Sequence, residues 1–286
     1  MSILNAVILA VIQGLSEFIP ISSSGHLSLA GHILSWDSTG ELSASLFIVV
    51  LHIGTLISVF AAFHRLILSL ILELARMLRE LFTGKFTLKN RTPERNMILM
   101  LLLACLPLIP VYPFNSIFKA IAEERKYIIV LGLCFLFTSV LLFLSDRVVK
   151  GKKRIGEIKA RSALTVGVFQ ALALFPGISR SGATISSGLF CGFSRETAVQ
   201  FSFVLSIPAI LGGALSEISG LSKTSDADTL VIFAVIIGLI VSAAVGFGAI
   251  MLVKLLLRTN KFIIFSIYTA IVGLAAIIYG ISRSGF

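Results

Sequence analysis

The sequence predicts an all-α integral membrane protein built as two inverted repeats, each a re-entrant pair of half-helices followed by three transmembrane helices. Three observations lead there. Apolar residues make up 57% of the 286 and charged residues only 13%, with a mean hydropathy of +1.02, and several segments exceed the ~18 apolar residues that mark a membrane span. A polar stretch at 13–26, QGLSEFIPISSSGH, is echoed at 170–184, QALALFPGISRSGAT; an offset of 157 aligns Gln13 with Gln170, Phe18 with Phe175 and ISSSG with ISRSG. The Lys and Arg residues behind the net charge of +10 gather in three connections, a distribution that speaks for membrane topology and against nucleic acid. Polar faces with a 3.6-residue period are not evident, which excludes a large soluble helical core.

The apolar stretches run at roughly 3–19, 24–34, 43–63, 97–114, 127–146, 162–175, 183–192, 198–218, 229–253 and 262–281. The first has no basic region ahead of it and no small-residue cleavage site after it, so it reads as a retained helix rather than a removable signal peptide. Stretches 24–34 and 183–192 are too short to cross. As helix, the former covers about 16 Å of a ~30 Å hydrocarbon core. Each follows a Pro, Gly and Ser break, Pro20–Gly25 and Pro176–Gly182, that interrupts a continuous helix.

The connections set the orientation. Segment 64–96 carries seven Lys/Arg against three acids, 147–161 seven against one, and 254–261 three against none; these are assigned to the cytoplasm. Segments 35–45 and 216–228 each net −2 and 115–126 nets +1, so they face outward with both termini. These sides agree only if 162–192 enters and leaves on one face. Repeat one then spans about 1–146 and repeat two about 162–281, inverted and joined by the basic loop 147–161 in a single membrane domain 1–286. The likeness of FIVVLHI at 47–53 to FSFVLSI at 201–207 supports that register.

Paired broken helices of inverted repeats place a site near the membrane middle. The half-helices starting near Ser24 and Gly182 aim free N–H groups and positive dipole ends inward, which suits an anion. Arg180 adds a planar cation fitted to phosphate oxygens. Glu17, an acid at membrane depth, adds a base or a hard oxygen ligand for a divalent ion. Together they describe a site for a phosphate, and a lipid pyrophosphate suits the location.

These residues resemble the undecaprenyl-pyrophosphate phosphatases of the bacitracin-resistance type, integral enzymes of the bacterial inner membrane. The resemblance spans the chain and rests on an E/QxxxE segment running into PxSSxGH (Gln13, Glu17, Pro20, Ser22, Ser23, Gly25, His26) and on PGxSRSGAT (Pro176–Thr184). It implies hydrolysis of the carrier-lipid pyrophosphate to the monophosphate on the outer side of the membrane, recycling the carrier lipid of cell-wall synthesis, with Mg²⁺ or Ca²⁺ supporting activity. By motif position Ser23 is the nucleophile or a direct phosphate contact, Glu17 the base or metal ligand, His26 the proton carrier and Arg180 the charge clamp. Gln13, Ser22, Ser24, Gly25, Ser179, Ser181, Gly182 and Thr184 line the substrate, and Gln13 joins Glu17 as the metal position, standing where many members carry Glu. Attack by Ser23 and attack by a water activated by Glu17 both stay open. The partners implied are the polyprenyl pyrophosphate lipid and the bilayer, without nucleic acid; a homodimer is left open.

The rival reading is a transporter or flippase of a lipid phosphate, an architecture to which inverted repeats and broken helices also belong. A carrier needs Arg180 and the helix ends, but has less use for Glu17 beside Ser23 and His26. His52 and Gln170 read as structural, Trp36 as a headgroup-belt residue, and Asp146, Arg195 and Glu196 as span-end charges. Cys105, Cys134 and Cys191 have no paired spacing and read as packing residues.

Overall fold

The computed structural model describes residues 3–33, 44–87, 91–148, 151–219, 229–258 and 262–283, among which the regular elements are all helical. Twelve α-helices follow in chain order: α1 (Ile3–Phe18), α2 (Ser23–Ile33), α3 (Ala44–Ala62), α4 (His64–Phe82), α5 (Pro93–Cys105), α6 (Asn115–Glu123), α7 (Ile128–Arg147), α8 (Ala160–Leu172), α9 (Arg180–Phe190), α10 (Arg195–Ser219), α11 (Thr229–Arg258) and α12 (Ile263–Arg283). Four of them are long and apolar enough to cross a membrane, or up to six spans if the bent pairs α3–α4 and α5–α6 are each counted as one. Their outward faces carry leucine, isoleucine and phenylalanine in the open, as lipid-facing helices do. The chain is an integral membrane protein.

Small residues let the long helices touch backbone to backbone, the main source of close packing where lipid removes any hydrophobic drive between helices. On α7 and α12, a Cβ on Gly132 would lie 2.7 Å from the Gly273 carbonyl, and one on Gly273 would lie 2.8 Å from that of Gly132. Ser139 and Ser266 then exchange hydroxyl-to-carbonyl hydrogen bonds of 2.8 Å between the same two helices. Gly14 of α1 meets Gly246 of α11 in the same way, and Ser58 of α3 donates to the Ala243 carbonyl at 2.7 Å. These contacts hold α1 and α3 against α11, so the first polar motif hangs from a rigid support.

Two segments differ from the sequence reading. The connection 64–96 contains α4, a 19-residue helix bent by 90° from α3. Its inner side buries Ile67, Leu70, Glu73 and Met77, a helical period the segment carries in its sequence. Arg95 of α5, itself buried, donates to Glu73 at 2.8 Å and to Glu80 at 2.9 Å, bolting α4 to α5. The apolar stretch 97–114 is not one span. Its helix stops at Cys105, because Pro107, Pro110 and Pro113 lack the N–H groups a helix needs and clash with the preceding turn. Trp36, assigned to the headgroup belt, and Lys89 and Asp226, which fall in the segment 64–96 assigned to the cytoplasm and the segment 216–228 assigned outward, lie outside the described residues.

Candidate active site

Both polar motifs fold alike. A helix stops, a tight turn follows, and an 11-residue helix starts whose N-terminus is capped by serine: Ser22 Oγ accepts from the Gly25 amide at 3.3 Å, and Ser179 Oγ accepts from the Gly182 amide at 3.1 Å. These pairs stand at the 157-residue offset. Serine suits the position because its oxygen satisfies one of the amides that a helix start leaves without a partner. The helices begin at Ser23 and Arg180, close to the expected starts.

The motifs touch through glycine. A Cβ on Gly25 would lie 2.9 Å from Gly177 Cα, and one on Gly182 would lie 3.4 Å from Pro20 Cβ, so a larger residue at Gly25 would push the two turns apart. Gly177 itself has φ +94, a conformation that favours glycine. Thr138 of α7 fastens this second turn, donating to the Gly177 carbonyl and accepting from the Ser179 amide, both at 3.0 Å. Ser22 has φ 74 and is the one non-glycine residue with positive φ among those described. Such strain is held only where neighbours over-determine the backbone.

Glu17 ends α1 at the centre of this junction. Its Oε2 accepts from Gln13 Nε2 at 2.9 Å and from Ser23 Oγ at 2.7 Å, and its Oε1 accepts from Arg180 Nη2. Side chains 163 residues apart thus share one carboxylate, with the glutamate side chain 5% exposed and the arginine 18%. A buried acid is tolerable only with such partners. His52 of α3 adds its Nε2 at 3.7 Å from Oε2, while its Nδ1 donates to the Ile48 carbonyl at 2.8 Å.

His26 is turned elsewhere. Its Nδ1 donates to the Ser22 carbonyl at 2.7 Å, so in the neutral ring Nε2 is the acceptor, and it takes the Tyr268 phenol of α12 at 2.8 Å. The two rings stack with centroids 5.6 Å apart, and Phe135 meets the imidazole edge-on at 5.2 Å. Glu17, rather than His26, holds the Ser23 hydroxyl. Ser24 is exposed beside Ser22, with the hydroxyls 3.4 Å apart. Ser181 pairs with Ser179 at 3.2 Å behind Arg180. Thr184 turns away, bonding to Ser202 at 2.6 Å and to its own helix at the Arg180 carbonyl.

Sequence reasoning passed over His52 as a contact of the site, and it missed Tyr268 and Thr138. A histidine one span away carries no local signal of facing Glu17, and Tyr268 reaches His26 across 242 positions. Gln170, the echo of Gln13, is buried and its amide has no hydrogen-bond partner. It lacks what gives Gln13 its role, because Leu174 occupies the offset position of Glu17.

As a donor set for a divalent ion, the junction offers one carboxylate and one amide oxygen. Gln13 Oε1 is buried and has no hydrogen-bond partner, which is a spare hard ligand beside Glu17. No group of three or more His, Cys, Asp or Glu able to hold an ion occurs among the described residues. The residues fit an ion that arrives sharing its shell with phosphate oxygens, in the manner of Mg²⁺.

The chain was compared with known proteins. The family described as "Bacitracin resistance protein BacA" matches residues 6–275. Among curated relatives, the protein named undecaprenyl-diphosphatase from Protochlamydia amoebophila (strain UWE25) is 38% identical over 283 residues, covering 98% of this chain and 99% of the relative. Proteins of the same name from Alkaliphilus metalliredigens (strain QYMF) and Methanosphaera stadtmanae (strain ATCC 43021 / DSM 3091 / JCM 11832 / MCB-3) are 34% and 36% identical, each covering 98% of this chain and respectively 100% and 99% of their own length. With its polar junction built from both motifs and its similarity running almost end to end, the chain belongs to the family of the bacitracin resistance protein BacA.

Proposed function

We propose that the protein is a membrane phosphatase that hydrolyses undecaprenyl pyrophosphate to undecaprenyl phosphate and inorganic phosphate. The observation that carries this is the Glu17 carboxylate holding the Ser23 hydroxyl at 2.7 Å while paired with Arg180 from the other motif. The names of relatives aligned end to end support it. Without substrate, Arg180 is spent on Glu17. An entering pyrophosphate competes for the guanidinium, whose planar fork holds two phosphate oxygens, and in doing so releases Glu17 to act as a base.

Ser23 Oγ then attacks the terminal phosphorus, its proton passes to Glu17, and the bond from that phosphorus to the bridging oxygen breaks, leaving the lipid monophosphate as an anion. A water molecule hydrolyses the phosphoserine and inorganic phosphate departs. Charge growing on the phosphoryl oxygens is met by Arg180 and by the free amides at the starts of α2 and α9. His26 sits about one helical turn beyond Ser23 and exchanges a proton at Nε2 only after Tyr268 lets go. Ser22 and Ser179 act as caps rather than contacts, Gly25 lets the two turns close on each other, Ser181 backs Arg180, and Ser24 offers an exposed hydroxyl at the start of α2. Mg²⁺ or Ca²⁺ would be held by Glu17 and Gln13 together with substrate phosphates, neutralising pyrophosphate charge.

The topology belongs to the same reading. Inverted repeats about 1–146 and 162–281, each with a re-entrant pair, are supported by the helix partnerships, since α7 lies along α12, α3 along α10, and the pairing of α1 with α11 mirrors that of α8 with α5. The loop charges support a plasma-membrane protein whose site opens outward. An introduced thiol at Lys153 is expected to resist an impermeant maleimide in intact cells and to react after lysis. Labelling before lysis would reverse the orientation.

Phosphate release tests the reaction itself. Purified protein in detergent micelles, where there is no second compartment, is expected to release inorganic phosphate from undecaprenyl pyrophosphate over many turnovers. Binding of the lipid without release would favour the carrier reading.

A further inference from the structure

Helix α4 divides into three faces. At roughly 100° per residue, its buried side, with Leu70, Glu73 and Met77, rests on the protein. A second side carries Leu68, Ile71, Leu78 and Phe82 in the open, with Leu68 58% and Phe82 87% exposed. A third side, about 90° round the helix from the second, carries Arg65, Arg76 and Arg79, all exposed, with Leu72 exposed among them. The one acid on that third side, Glu80, is occupied by Arg95.

The axis of α4 turns 90° from α3 at Phe63. The bend is locked, since Lys254 Nζ lies 3.8 Å from the Phe63 ring centroid and donates to the Ala62 carbonyl at 3.0 Å. With 19 residues, α3 as helix is about 28 Å long, close to the hydrocarbon thickness. A helix leaving its end at a right angle lies in the plane of the membrane surface. There the exposed leucines meet acyl chains, and the arginines along their edge meet headgroups.

We propose that α4 is an interfacial helix seated on a leaflet of anionic phospholipid, its apolar side in the acyl boundary and Arg65, Arg76 and Arg79 against the phosphate-bearing headgroups. Charge decides the partner. With Glu80 held by Arg95 and the buried Glu73 shared between Arg95 and Arg76, the exposed charges of that side are cations, and a juxtamembrane cation near an anionic surface gains roughly five-fold in association. Through the Arg95 pairs to Glu73 and Glu80 the seat is tied to α5, and α5 packs on α8 of the second motif. The lipid surface therefore braces one side of the bundle that carries Arg180.

The test uses full-length protein with Cys105, Cys134 and Cys191 replaced by alanine, in nanodiscs of phosphatidylcholine with phosphatidylglycerol. A nitroxide at Leu78 is expected to collide with oxygen far more than with a water-soluble nickel chelate, and one at Arg76 to do the reverse. Preference for the chelate at Leu78 would put that face in water and overturn the proposal. Dipolar broadening between Leu78 labels would mean a second copy covers the face, which also overturns it. Independently, the unlabelled protein is expected to melt higher in the mixed lipid than in phosphatidylcholine alone, and Arg65→Gln/Arg79→Gln to shrink that difference by roughly 2–4 °C per arginine. An unchanged difference in the double variant overturns the anionic contact.

Discussion

Glu17→Gln is expected to release phosphate on the order of 10³ more slowly than the parent. A glutamine fills the same space, but its amide can neither take the Ser23 proton nor balance Arg180. Removing a positioned general base is worth roughly 10² to 10⁴ in rate. The variant also leaves a guanidinium that is 18% exposed without its carboxylate, and losing one partner of a buried pair removes up to about 3–5 kcal/mol. A lower melting temperature should therefore accompany the slower turnover. The check is phosphate release at matched folded fraction, read from size-exclusion profile and thermal melting. Turnover within about tenfold of the parent, well below what loss of a general base removes, would remove Glu17 from the chemistry and leave it as a fastener between the motifs.

Arg180→Lys separates charge from shape. Lysine keeps the cation and can still meet Glu17, so the fold should persist. It lacks the fork that grips two oxygens at once and is more strongly hydrated. Losing one preorganised contact to developing charge is expected to lower the rate on the order of 10² to 10³, mainly in kcat if the grip tightens in the transition state. Near-normal hydrolysis by folded Arg180→Lys would show that the arginine serves chiefly to hold Glu17, a role the pair in this structure could also fill.

Much of this site was legible in the sequence because its chemistry is locally encoded. An acid, a serine run and proline–glycine breaks within 14 residues, repeated with an arginine 157 positions on, define two capped half-helices and their charges. That those halves meet on one carboxylate followed from pairing the only unexplained charges of the two motifs. Other partners were not legible, since nothing local to Tyr268 or His52 announces a neighbour on another helix. By motif position His26 was expected to carry the proton. The strained backbone at Ser22 instead presents its carbonyl to the imidazole, and the ring settles toward α12.

The fold shows the same division. The long apolar helices announce themselves by length, whereas α4 was read as loop. Its polar residues Arg65, Ser69, Glu73, Arg76, Arg79 and Glu80 fall on one side at a helical period, but the charge count of the connection outweighed that period in the sequence reading. A leucine-rich, arginine-edged helix is what a membrane surface calls for. The prolines at 107, 110 and 113 were visible and argued against one span through 114; hydropathy outweighed them in the sequence reading.

The central claim is that Ser23, activated by Glu17, attacks the lipid pyrophosphate. The most direct measurement is phosphate release from undecaprenyl pyrophosphate in micelles by Ser23→Ala beside the parent protein, with folding checked by melting. Loss of the hydroxyl removes one hydrogen bond to Glu17 but leaves the Arg180 and Gln13 contacts, so the fold should survive. The account predicts a fall in kcat on the order of 10³ or more, as for loss of a nucleophile. Turnover within about tenfold of the parent, far short of what loss of a nucleophile removes, would contradict it and assign the attack to water.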